Sequence, residues 1–157
     1  MIINHLKEAQ YGDIILFEPS MYSSRVRVWI DNLGRNKKYN YSHGALFWGY
    51  IGNTPLMIES VSPCGVHITK VQEWRNYIII RPVDKIITTQ NDLISYLDKR
   101  YDYSKLWSVF KNKFFGTPLT ADNDTQVICT EFINLAYSYS LCKKGGCTPV
   151  TLAESIL

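Results

Sequence analysis

The sequence predicts an α+β domain: a central antiparallel sheet of about five strands followed by a cluster of helices. Three observations carry that expectation. Short apolar runs of strand length crowd the first half of the chain, as in "DIILF", "HGALFWGY", "LMIESV" and "YIIIRPV". Two of them flank the turn signal "IGNTP", the mark of a β-hairpin. Beyond residue 88 the apolar residues recur at helical spacing instead.

In order, "INHLKEAQ" reads as a short helix or lead-in, and Gly12-Asp13 as a turn into a buried strand over Ile14–Phe17, closed by Pro19. In "SSRVRVWIDNLGR", Val26, Trp29, Ile30 and Leu33 fit a helix that Gly34 ends. The hairpin pairs "SHGALFWGY" with "LMIESV", "GVHITKV" adds a strand, and "YIIIRPV" is stopped by Pro82. Polar cap residues then open "TTQNDLISYLDKRYDY", with Leu93, Tyr96 and Leu97 on one helical face. "SKLWSVFKNKFFG" continues as helix to Gly116, and "TPLTADNDTQ" is a loop. "VICTEFINLAYSYSLC" is a helix with Ile128, Phe132, Leu135, Ala136 and Tyr139 on one face. A Gly-Gly break and a short terminal helix close the chain.

The 157 residues suit one domain over 1–157, and 46% apolar with 20% charged residues exclude a disordered tail or a fibre. No repeat or linker is visible. The net charge of +3 is mild. Basic residues gather at Arg25, Arg27, Arg35, Lys37 and Lys38, and at Lys143 and Lys144, and read as solvated loop charges. No nucleic-acid partner is expected from blocks this short. No segment approaches the roughly 20 apolar residues of a membrane span. "MIINHLKEAQYGD" has no apolar core of a secretory signal, so a cytoplasmic protein, or a phage or prophage product, is expected. The four cysteines, Cys64, Cys129, Cys142 and Cys147, are expected as reduced thiols.

Cys129 falls in the first turn of its helix, where free N–H groups and the helix dipole favour a thiolate. A nucleophilic cysteine needs a base. Of three histidines, His5 lies in the polar lead-in and His67 is expected at a strand end facing solvent. His43 opens a buried strand, where packing fixes the ring while its edge reaches a cleft. The residue that orients the ring depends on hairpin register. A plain two-residue turn at Gly52-Asn53 puts Ser60 and Ser62 on the face of His43. A longer loop or a bulge puts Glu59 there, diagonal to His43. A near-core carboxylate is costly without a partner, which favours Glu59.

These pieces, "YGDIILF", "SHGALFWG", "MIESVSPCGVHI", "RYDY" and "VICTEFINLAY", taken in this order, resemble the circularly permuted papain-like enzymes. These are the YiiX-like relatives of the NlpC-type cell-wall peptidases, with lecithin–retinol acyltransferases as distant kin. In the permuted group the histidine strand precedes the cysteine helix, as His43 precedes Cys129 here. The resemblance implies a papain-like, circularly permuted fold and a cysteine hydrolase, an amidase or peptidase working through a thioester, with no cofactor. Cys129 would be the nucleophile, His43 the base, Glu59 the orienting residue, and Tyr101 or else Tyr103 the cleft tyrosine beside the oxyanion. Thr130 stands where many relatives carry serine, and Glu131 matches their glutamate, expected to stabilise the first turn of the helix. A peptide-like, N-acyl or lipid substrate is implied. Two other readings compete: a zinc site built from Cys64, His67, Cys142 and Cys147, and a non-enzymatic binding module on the same fold.

Overall fold

The computed structural model describes residues 1–72, 75–97, 99–116, 126–142 and 147–157, with the backbone alone at 105, 106, 109, 110, 113 and 114. The fold is α+β. Six strands, β1 (Ile2–Ile3), β2 (Ile14–Phe17), β3 (His43–Ile51), β4 (Thr54–Val61), β5 (Gly65–Lys70) and β6 (Tyr77–Ile80), form one sheet in the order β1-β6-β2-β3-β4-β5. Every pairing in it is antiparallel. A separate parallel pair joins β7 (Arg100–Tyr101) to β8 (Gln126–Val127). The helices are α1 (Tyr22–Asp31), α2 (Gln90–Ile94), α3 (Tyr103–Phe115), α4 (Cys129–Ala136) and α5 (Pro149–Ile156).

Strand alternation splits the core into two layers. Ile14, Leu16, Leu46, Ile58 and Ile80 pack with Phe132, Ile133 and Ala136 of α4 and with Val150, Leu152 and Ala153 of α5. Ile15, Phe17, Ala45, Phe47, Met57 and Ile79 point to the other face, where Ile3 and Val71 join them. β3 carries large residues for both layers, which explains why its sequence reads as a continuous apolar run.

The β3–β4 hairpin positions the site. Its turn is the two-residue Gly52-Asn53 turn, with Ile51 opposite Thr54 and Gly52 at φ 59. The register then shifts between Phe47 and Gly49, leaving Trp48 as an extra residue on β3. Below this bulge Leu46 opposes Ile58. Continuing the alternation puts Ala45 opposite Glu59, so Glu59 shares a face with His43.

Several expectations need correction. The main sheet has six strands rather than five because Ile2 and Ile3 pair with Ile80 and Ile79. A two-residue strand is too short to show a period. Only Leu6–Glu8 of the lead-in is helical, as a 3-10 turn. The helix expected from Thr89 onward starts as read, with the Thr89 hydroxyl accepting from the Asp92 N–H, but stops at Ile94. The chain then extends to Arg100–Tyr101, which pair with β8. α4 stops at Ala136, because Ser138 and Tyr139 take left-handed φ values of 50 and 62. Asn134 Oδ1 there accepts from the Leu141 and Cys142 N–H groups. Cys142 and Cys147 form a disulfide, against the expectation of four reduced thiols, because the turn after α4 brings their Cα atoms to 5.6 Å. Most of the "TPLTADNDTQ" loop, Lys143, Lys144 and the Gly-Gly break lie outside the described residues. No helix among the described residues is long and apolar enough to cross a membrane.

Candidate active site

Cys129 is the first residue of α4 and is buried, with 6% of its surface exposed. Two features set its place. The Ser60 hydroxyl donates to the Val127 carbonyl at 2.7 Å and ties β4 to the strand that feeds the helix. Gly44, on the layer facing α4, lets the helix approach closely, since a Cβ there would sit 2.8 Å from the Ile133 Cδ1. The Gly44 N–H donates to the Cys129 sulfur, and the His43 ring hydrogen-bonds to it.

The His43 Nε2 lies 2.5 Å from the Glu59 carboxylate. With Nε2 taken, Nδ1 is the ring atom available to the thiol. Phe17 stacks on the ring at 5.9 Å between centroids, and the Arg75 guanidinium covers the Phe17 ring at 4.8 Å. Glu59 is 2% exposed and also faces His67, whose Nε2 is 3.5 Å from its other oxygen. The carboxylate therefore bridges two imidazoles with a guanidinium behind.

The electrostatics follow from these contacts. Burial alone pushes the His43 imidazolium down, but the Cys129 thiolate, then Glu59, outweigh it and raise the pKa to about 9. Burial alone pushes the Cys129 thiol up, but the His43 cation, its hydrogen bond, the Gly44 N–H and Arg27 together hold it below its ordinary value. Burial opposes ionisation of Glu59 too, and His43, His67 and Arg75 overcome it, so the carboxylate stays charged. Both shifts favour the thiolate–imidazolium form of the pair over the neutral one.

A pocket of about 410 Å³ opens onto the sulfur. Its wall is largely apolar: Val26 and Ile30 from α1, Tyr103 and Trp107 from α3, Ile128 beside the thiol, and Pro149 at the start of α5. Tyr101 is buried in that wall, and Arg27 hydrogen-bonds to its hydroxyl. Burial, then the nearby thiolate, push the Tyr101 phenol well above its ordinary pKa, so it remains a donor. Tyr103 is 57% exposed at the rim, and its hydroxyl bonds to Ser62. Tyr101 is fixed by β7, whose entry lies tight against Gly65: the Val66 N–H donates to the Lys99 carbonyl, and Gly65 holds φ 74.

The structure thus brings Cys129, His43, Glu59 and Tyr101 together and leaves Tyr103 at the mouth. Glu131 lies three residues into α4, where Oε2 is 3.5 Å from the Ile128 N–H, consistent with a first-turn acid. The Thr130 hydroxyl donates to the Cys147 carbonyl. Sequence reasoning missed Arg27, read there as a loop charge. Its helical spacing from Ser23, Ile30 and Asp31 was the signal that it shares their face. It also placed His67 toward solvent, whereas the β4–β5 register sets it directly opposite Glu59.

The proposed zinc quartet is not assembled. Cys142 and Cys147 are consumed in the disulfide, Cys64 is exposed, and His67 faces Glu59. Among the described residues no group of three or more His, Cys, Asp or Glu side chains is placed to hold a metal ion. Comparison with protein-family models, curated proteins and solved structures returns no match to this chain.

Proposed function

We propose that this protein is a cysteine-dependent hydrolase of the permuted papain-like type, cleaving an amide or ester through a thioester on Cys129. One observation carries the reading: a buried thiol at a helix start contacts an imidazole whose far nitrogen is held at 2.5 Å by a buried carboxylate. That is a nucleophile, a base and an orienting group in the order such catalysis requires.

In the mechanism, the Cys129 thiolate attacks the substrate carbonyl carbon. Negative charge gathers on the carbonyl oxygen and is met by the Cys129 backbone N–H, which has no intrahelical partner in the first turn, and by the Tyr101 hydroxyl. The C–N or C–O bond breaks as the His43 imidazolium gives its proton to the leaving group. Neutral His43 then takes a proton from water, hydroxide attacks the thioester carbon, and the acid leaves as the thiolate–imidazolium pair re-forms. Glu59 fixes the tautomer and the ring plane throughout. An alcohol or amine in place of water gives acyl transfer from the same intermediate.

The test is alkylation by iodoacetamide in a Cys64→Ser background, which removes the exposed thiol. Labelling of Cys129 at pH 7 is expected to be faster than that of a free thiol, and His43→Ala is expected to slow it. Turnover of p-nitrophenyl acetate should fall about a hundredfold or more in His43→Ala and be abolished by Cys129→Ala. Labelling no faster than a free thiol, with no Cys129-dependent turnover, leaves a binding module.

A further inference from the structure

Nothing in the reaction chemistry says which acyl group Cys129 receives, but the pocket beside it does. Among the described residues, the charged ones that line it are Arg27 and Asp31, both on α1. Arg27 is turned to the Tyr101 hydroxyl, at the carbonyl end of the site, and Asp31 has a partner of its own. The remaining wall is mainly aliphatic and aromatic. A substrate rich in carboxylates or amides would lose its hydration there with few groups to replace it.

The sheet topology bears on the same question. An extended peptide is commonly held by an unpaired strand edge. β3, which carries His43, is paired on both sides, to β2 and to β4, so that strand offers a peptide no open edge. The apolar surface also continues outward from the pocket. Tyr22, Val26 and Trp29 recur at helical spacing on α1 next to the lining positions, and Tyr22 and Trp29 are 83% and 63% exposed. A chain longer than the pocket would still lie against apolar side chains.

We propose that this pocket holds an apolar acyl chain with its carbonyl carbon at the Cys129 sulfur, making the substrate a fatty-acyl ester or amide. The chemistry of the step rests on the cysteine-hydrolase reading, whereas occupancy of the pocket does not. The acyl carbon leaves its alcohol or amine, which carries off the proton from His43. Water then releases the free fatty acid and restores the thiolate.

Two measurements separate the parts. The first is kcat/KM for p-nitrophenyl esters from acetate to decanoate, in wild type and in Val26→Trp, which narrows the pocket from its partly exposed side. Wild type is expected to gain about fourfold per added methylene until the pocket is full. Val26→Trp is expected to lower the ratio of decanoate to acetate kcat/KM about tenfold or more. The second is fluorescence of cis-parinaric acid with the Cys129→Ser protein, expected to show saturable binding that Val26→Trp weakens about tenfold. A flat or falling chain-length profile despite Cys129-dependent acetate turnover overturns the proposal and leaves the hydrolase. Preference for apolar peptide amides over decanoate overturns it in favour of a peptide. Parinaric acid binding without any Cys129-dependent turnover keeps the pocket assignment and sinks the hydrolase. Absence of binding, or binding that Val26→Trp does not weaken, overturns the proposal.

Discussion

In the proposed mechanism, the charge states of Cys129 and His43 set the pH range of turnover. Attack needs the thiolate, and expulsion of the leaving group needs the imidazolium. Activity must therefore rise as pH passes the depressed Cys129 pKa and fall as it passes the raised His43 pKa. A bell-shaped profile is expected, with its acid limb below the ordinary thiol range and its alkaline limb near 9. Glu59→Gln removes one of the groups that favour the imidazolium, so its alkaline limb should move to lower pH. The thiolate, the larger contributor, still holds part of the shift. Arg27→Gln removes a smaller influence on Cys129, so its acid limb should move upward by less than His43→Ala moves it. Stopped-flow alkylation rates across pH check the two acid-limb shifts, and the pH profile of kcat/KM for ester or amide turnover checks the alkaline one. Cys129 and His43 were both legible as candidates in the sequence, since a cysteine entering a helix and a histidine opening an apolar strand are local facts. Arg27 was not, because its role comes from facing a tyrosine on a distant strand.

Strand register decides whether the orienting carboxylate exists. With the two-residue turn alone, Glu59 would point to the layer opposite His43; the extra residue at Trp48 reverses the parity. The hairpin and its turn were readable from Gly52-Asn53 between apolar runs. The bulge is not legible in the sequence, because nothing in "ALFWGY" marks which residue is extra. Two glycines frame the site and differ in kind. At Gly65 a Cβ would strike the backbone carbonyl of Lys99, and φ 74 is itself unfavourable for other residues. Gly65→Ala is expected to cost about 3 kcal/mol and to lower activity by displacing Tyr101. At Gly44 the obstacle is the terminal methyl of Ile133, which can rotate away. Gly44→Ala should cost only about 1 kcal/mol. Urea denaturation of both variants tests the ordering, and equal losses would contradict it.

At the scale of the molecule, the candidate site sits where the end of the sheet, the start of α4 and the face of α1 meet, and α5 closes the same region. The Cys142–Cys147 disulfide pins the segment that leads into α5 and thus the Pro149 wall of the pocket. Closing so short a loop restricts the unfolded chain by about 2 kcal/mol. The paired Cys142→Ser and Cys147→Ser substitution should lower Tm by roughly 4–8 °C in calorimetry, with Cys129 alkylation retained. An unchanged Tm would mean that the bridge adds nothing to stability. The sequence by itself determined the α+β order, the hairpin, the glycine turn and the cysteine at a helix start. Each is a matter of local conformational preference or of apolar periodicity, which a chain segment carries with it. Only the tertiary structure decided the parity that turns Glu59 to His43, the contact of Arg27 with Tyr101, the edge strand at Ile2–Ile3 and the disulfide. Each of these depends on which distant segments lie side by side, and that is fixed by packing two apolar layers around one sheet rather than by any residue's neighbours in the chain.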